Sequence, residues 1–222
     1  ARDAGIRPIV GSEVTCDGRR AVLLVRNRDG YANLCRILSD RHCRQDFDLI
    51  GSLKERRQGL IVVSDDPPLL KALRRQEMSD LFVEMSPGYD MAGAYAFSRR
   101  SGIPPLATNR VYLLRKEQYP LHRILRAVAL NSKLSRLTPE DTCREHNVLN
   151  PARSMIDQFP HAPRAVLNTL DVAERCLTEW DFSSVIFPRF GEATDQEAYD
   201  TLYRLTLEQQ YGAGRAELET DG

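Results

Sequence analysis

The chain has 222 residues, 42% of them hydrophobic and 28% charged, an ordinary composition for a folded protein and unlike a disordered one. A chain this long buries roughly 70% of its unfolded surface, which is ample for a closed core. Lys+Arg and Asp+Glu are equal at 31 each, which excludes the domain-wide basic excess of many nucleic-acid binders but leaves room for a local basic face. No window approaches the ~18 uninterrupted apolar residues of a membrane span.

The overall neutrality hides a gradient. Between Gly191 and Gly222 eight acids face two bases, so this tail carries −6 and the remainder +6. A modestly basic body permits weak phosphate contact without requiring it. Five cysteines (Cys16, Cys35, Cys43, Cys143 and Cys176) form no CxxC pair, so neither a disulfide framework nor a structural zinc site follows from their spacing. They read as reduced thiols of a cytoplasmic protein. His42, His122, His146 and His161 are equally scattered.

In chain order, the opening ARDAGIRPIV reads as the last turn of a helix, a glycine stop and then a strand, which suggests a domain cut from something longer. Short apolar runs at Pro8–Val10, Ala21–Val25, Leu60–Val63, Leu81–Met85 and Leu106–Thr108 predict buried strands. Tyr31, Leu34, Cys35 and Leu38 recur at helical spacing, and Leu69, Leu70 and Leu73 follow Pro67-Pro68, a helix start. Residues 88–100 predict a further helix, closed by Ser101-Gly102 and Pro104-Pro105. This alternation argues for an α/β layout with a mainly parallel sheet. Beyond Thr108 the chain turns helical. Leu121, Ile124, Leu125 and Val128 form one face, Val166, Leu167, Leu170, Val172 and Ala173 another, and Tyr199, Leu202, Tyr203 and Leu207 a last one that stops at Gly212.

The residues that could carry chemistry are few. Glu13 in Gly11-Ser12-Glu13-Val14 places a carboxylate on a strand, and Asn109 follows a strand end, where ligands gather in α/β folds. A strand-end acid is as readily a hydrogen-bonded structural group, and an Asx residue there often caps the next turn. Glu84 sits inside the apolar run LFVEM, where it either faces solvent or pairs with a base. His122 lies on a helix face and reads as structural. Asp65-Asp66 before Pro67-Pro68 reads as a turn and N-cap. There is no P-loop, GxGxxG or HxH, and no nucleophile with local support.

In order, the segments GIRPIVGSEV, AVLLVRNRDGYANLCRILS, LFVEM, IPPLATNRVYLLRKEQYPLHRILRAVALN, FPHAPRAVLNTLDVAERC and YDTLYRLTLEQQYG resemble the amino-terminal PHP (polymerase and histidinol phosphatase) domain of bacterial C-family DNA polymerases, the polymerase III alpha subunits and their error-prone paralogues. The resemblance covers essentially the whole chain. It implies an α/β fold of the PHP type, a (β/α) barrel of about seven strands. The barrel would be incomplete at the amino terminus, because the family's HxH strand and TDH-like segment would lie before Ala1. It also implies a mostly helical carboxyl-terminal part. Residues 1–186 would form the barrel-like domain and 187–222 an acidic helical connector toward the polymerase palm. Active relatives hold divalent zinc, manganese or magnesium at the strand ends.

Taken residue by residue, the ligands implied by the resemblance are mostly gone. Glu13 matches the family's acidic ligand and is a vestigial metal candidate. Ala21 stands where the family has His, Ser86-Pro87-Gly88 replaces the next ligand position with Pro87 at its centre, and Arg110 and Tyr112 replace an Asp-x-His pair. A hydrolytic site needs at least three converging ligands and an open water position. Arg110 adds a permanent positive charge where cations would sit, and its guanidinium could pair with Glu13 in place of a metal.

The resulting expectation is a non-catalytic PHP domain without cofactor. It would act structurally, beside the palm and thumb of one long polymerase chain that touches DNA, with no membrane contact. Two rivals are a metal-dependent phosphoesterase or 3′–5′ proofreading exonuclease, and a stand-alone nucleic-acid-binding module. The carboxyl half, through Leu202, Tyr203, Leu207, Trp180 and Phe182, is expected to leave an exposed apolar docking patch.

Overall fold

The structure is a computed structural model that describes residues 5–74, 80–176 and 195–211. The chain divides into two units, Ala1–Glu179 and Trp180–Gly222.

The first unit is built on strands β1 (Gly11–Cys16), β2 (Arg19–Val25), β3 (Leu60–Ser64), β4 (Leu81–Met85) and β5 (Pro105–Ala107). They form one sheet in sequential order, with β1-β2 and β2-β3 antiparallel and β3-β4 and β4-β5 parallel. Helices α1 (Arg28–Cys43) and α2 (Leu49–Arg56) connect β2 to β3, while α3 (Pro67–Arg74) and α4 (Met91–Ser101) are the two crossovers between parallel strands. Helices α5 (Tyr119–Ala129), α6 (Ala152–Gln158) and α7 (Pro163–Arg175) follow the sheet. The second unit contains helix α8 (Asp195–Tyr211).

The α/β class and the helical carboxyl half match expectation, and two details do not. The sheet is mixed and open, with β1 and β5 at its edges, so the described strands form no closed seven-stranded barrel. The first strand is not Pro8–Val10 but the next segment, which alternates along its length and returns through Asp17-Gly18. Both turn residues have positive φ, 50° and 74°, the geometry that a two-residue hairpin needs and that Asp-Gly supplies. Val10 only contributes a carbonyl to the end of this ladder, accepting from Val25 N–H at 2.8 Å.

Strand alternation sorts the core. Val22, Leu24, Ile61, Val63, Phe82 and Leu106 share one face and pack with Val172 and Cys176 at the end of α7. Ala21, Leu23 and Val25 are fully buried toward the other face. Crossovers of one hand put α3 and α4 together on that side, where Leu69, Leu70 and Leu73 are buried. Helix starts follow local chemistry: Asn27, Asp48 and Asp90 each accept from a first-turn N–H, and Asp66 accepts from Leu69 N–H at 3.3 Å. Gly102, at φ 73°, stops α4 in a left-handed turn.

Helix α5 is mounted the other way round from most amphipathic helices. His122 accepts the Cys143 N–H at 2.9 Å, Arg126 donates to the Asp141 carbonyl at 2.6 Å, and Arg123 donates to the Leu134 carbonyl at 3.1 Å. Its polar side is therefore tied to the body, and the stripe of Leu121, Ile124, Leu125 and Val128 is exposed by 47–74%. On α8, Leu202 and Tyr203 are likewise exposed. Leu207, Trp180 and Phe182 lie outside the described side chains.

This arrangement separates two classes of leucine. Leu23→Ala is expected to cost ~2–5 kcal/mol by opening a core cavity, whereas Leu125→Gln should change stability by less than ~0.5 kcal/mol. Urea unfolding of the two variants measures both, and a large loss at Leu125 would mean that its stripe is covered.

Candidate functional site

The carboxyl ends of β3, β4 and β5 lie side by side because these strands are parallel, and the amino end of β2 joins them because it runs the opposite way. In such sheets this edge is where ligands and charged groups converge. Alternation carries the apolar face directly into a charged row. Arg20 is two residues from Val22, Asp65 two from Val63, Glu84 two from Phe82 and Thr108 two from Leu106. Glu13 enters the same face because it pairs with Val22 across the hairpin.

Glu84 is the centre of this row, with 2% of its surface exposed. One carboxylate oxygen accepts from the Thr108 hydroxyl at 2.8 Å. The other accepts from both Arg20 and Arg110, the latter at 2.8 Å. Arg20 also reaches Glu13 at 2.7 Å, and Arg110 bonds Asp65. The result is a continuous chain, Glu13–Arg20–Glu84–Arg110–Asp65, of three carboxylates and two guanidiniums.

The anticipated direct pair between Glu13 and Arg110 is thus replaced by an indirect link through Arg20 and Glu84. The register explains why. Glu13 stands diagonal to Arg20 on the neighbouring strand, with two further strands between it and Arg110. Burial pulls both guanidiniums toward lower pKa. For Arg20 the attraction of Glu84 more than reverses this, against the repulsion of Arg110 and with help from Glu13. For Arg110, Glu84 and then Asp65 do the same. Both remain above the ordinary arginine value and stay charged.

The remaining anticipated positions surround this network without joining it. Ala21 is fully buried on β2, pointing away from the charged face. Pro87 lies in the turn after β4, where its carbonyl faces His146 Nε2 at 3.2 Å and the Gly88 carbonyl accepts from Arg144. Tyr112 is 57% exposed. Asn109 serves a structural purpose: it donates to the Val148 carbonyl, and Asn147 donates back to its carbonyl at 3.0 Å. Tyr89 meets two guanidiniums, Arg110 at 3.9 Å and Arg144 at 4.5 Å from its ring centre.

Arg110 adopts a left-handed backbone, φ 42°, which costs a residue with a Cβ roughly 1–2 kcal/mol. That conformation accompanies a guanidinium bonded to Glu84 and Asp65. Among the described residues, no group of three His, Cys, Asp or Glu side chains is placed to hold a metal ion. The carboxylates at this edge are bridged by permanent cations, so the donor set does not fit a divalent metal. The arrangement joins β1, β2, β4 and the loops after β3 and β5 through one buried charge.

Arg20 and Thr108 carry no mark in the sequence reading, and Asp65 is read there only as part of a turn. The signal was present as period two: each sits two residues beyond an apolar member of the same face.

Two outcomes follow from these contacts. Glu84→Gln should lose about 3 kcal/mol or more, because two arginines are left against one buried neutral group. Glu13→Gln, at a half-exposed end, should lose less than ~1 kcal/mol. Equal losses in denaturant titrations would contradict the central place of Glu84. His122 accepts a hydrogen bond at Nε2, so its folded form is neutral. Burial, and then Arg126, hold its pKa below the ordinary 6.5. Its contribution is therefore complete above pH 6.5 and is lost as pH falls through the lower folded value. Stability of the native chain should drop relative to His122→Gln between about pH 7 and about pH 5, and parallel pH profiles would disprove the assignment.

No family model matches the chain. It is similar to an error-prone DNA polymerase of Symbiobacterium thermophilum, 28% identical over 86% of this chain and 22% of that protein. It is also similar to DNA polymerase III alpha subunits of Pseudomonas fluorescens, 23% identical over 79% of this chain and 18% of the relative, and of Bacillus subtilis, 25% identical over 92% and 21%. The chain spans about a fifth of the length of the curated relatives it matches, and this similarity places it beside one region of bacterial DNA polymerase III alpha subunits and error-prone DNA polymerases.

Proposed function

We propose that the chain is the PHP region of a C-family bacterial DNA polymerase, with a guanidinium network where active relatives hold divalent metal. Its task is structural. Residues 1–186 form the PHP-like part and 187–222 an acidic connector, within a longer chain whose palm and thumb handle DNA. The observation that carries this reading is the buried Glu84 shared by Arg20 and Arg110, at the sheet edge where the family's ligands would converge. Similarity to polymerases of both kinds over most of the chain supports the family assignment.

Arginine is suited to replacing a metal in this place. It keeps its charge at any physiological pH, and its fork reaches two carboxylates at once. It cannot polarise a bound water or open a coordination position, so it preserves the cross-link and abolishes hydrolysis.

Elemental analysis of the purified chain should find no stoichiometric zinc, manganese or iron, and phosphomonoesters and single-stranded DNA should stay intact with added Mn²⁺. Two tightly bound ions per chain, or metal-dependent hydrolysis, would overturn the structural reading. The reading frame should continue into a polymerase palm, and a frame without one would overturn the polymerase assignment separately.

A further inference from the structure

The cleft between α3 and α4 has features that the ion-pair network does not use. It encloses about 440 Å³, within the range of small-molecule sites. Val83, Ala94 and Phe97 supply an apolar lining, while Lys71 of α3 and Arg100 of α4 stand at its rim. Neither cation forms an ion pair among the described residues, and Lys71 lies 5.8 Å over the Phe97 ring.

Two donors at the inner wall are left without partners. Ser86 is 3% exposed, yet its hydroxyl bonds to nothing among the described residues. Arg110 uses its terminal nitrogens for Glu84 and Asp65, but its buried Nε–H has no acceptor. Both residues line the cleft. Buried donors without acceptors are uncommon because the lost hydration is not replaced. A ligand that brings two acceptor atoms would remove both deficits.

The charge balance narrows the ligand. Asp65 and Glu84 are already held by arginines. Asp90 caps α4 by accepting the Gly93 N–H at 2.8 Å and faces the cleft as one carboxylate. Over the residues that line the cleft, the three carboxylates Asp65, Glu84 and Asp90 balance the cations Lys71, Arg100 and Arg110, so Lys71 and Arg100, the two without an ion pair, accommodate one further negative charge more readily than a dianion. The apolar lining calls for a hydrocarbon body.

We propose that this cleft binds the carboxylate of a small organic acid with an apolar body. The carboxylate oxygens accept from the Ser86 hydroxyl and from Arg110 Nε–H once both side chains, each sealed from solvent at that atom, turn toward the cleft. Lys71 and Arg100 provide the counter-charge, and the hydrocarbon portion lies on Val83, Ala94 and Phe97. A free acid and the carboxyl terminus of a peptide present the same chemistry. The proposal does not depend on the polymerase reading.

The test is an amide chemical-shift titration of the 222-residue chain with hexanoate, acetyl-Ala-Leu, hexanamide and inorganic phosphate. Saturable shifts at Ser86, Gly93, Phe97 and Arg110 are expected with a carboxylate. Tighter binding of hexanoate points to a free acid, and tighter binding of acetyl-Ala-Leu to a chain terminus. Ser86→Ala and Lys71→Gln should each weaken binding about tenfold, the loss of one hydrogen bond or charge contact, with an unchanged circular dichroism spectrum. Lys71 is exposed, so its variant remains informative if Ser86→Ala perturbs the fold. Absence of saturation by either acid, equal binding of hexanamide, or tighter binding of phosphate would each overturn the proposal.

Discussion

Everything at the carboxyl edge of the sheet depends on one buried carboxylate. Glu84 lies on a strand whose other residues are apolar and fully enclosed, a position where an isolated negative charge is prohibitively expensive. It is tolerated because Arg20 arrives from the antiparallel strand on one side and Arg110 from the loop after β5 on the other. Thr108 takes the remaining oxygen. Each arginine then needs a second anion, which Glu13 and Asp65 provide. Three strands and two loops are thereby fixed relative to one another by a single unit of buried charge.

The surroundings of Arg110 extend that logic to the helical half. Its guanidinium lies over the Tyr89 ring, which Arg144 also approaches. Arg144 and His146 in turn hold the Pro87-Gly88 carbonyls, while Asn147 and Asn109 bind one another's segment. The stretch after α5 is therefore a strap laid over the sheet edge, attached by polar contacts at many points. Its other end is attached to α5 through His122 and Arg126. This explains the unusual mounting of α5. Its polar side is consumed in holding the strap, so its apolar stripe is turned outward.

Such an edge is poorly suited to metal catalysis for a plain electrostatic reason. A divalent ion would have to displace guanidiniums that cannot lose their protons, from carboxylates whose lone pairs they already occupy. A hydrogen-bonded salt network and a metal cluster are alternative solutions to the same problem, which is how to gather several carboxylates at the ends of neighbouring strands. The network gives cohesion without an open coordination position.

Much of the fold was legible in the sequence. Four of the five strands announced themselves as apolar runs, α3 and α4 by their proline, aspartate and glycine boundaries, and α5 by its stripe, because local periodicity and turn chemistry act over a few residues. The Asp17-Gly18 hairpin was also written there but passed unmarked, and with it the antiparallel half of the sheet. Glu13 and Arg110 were recognisable as members of a charged site. Their true partners were not, since Arg20 and Glu84 are separated by 64 residues and meet only through strand order and register. Which way the α5 stripe faces was equally undecidable from its spacing, because amphipathicity defines two faces and only the tertiary contacts of His122, Arg123 and Arg126 choose between them. Sequence determined which groups had to be buried or capped; the folded chain alone decided which charges neutralise one another.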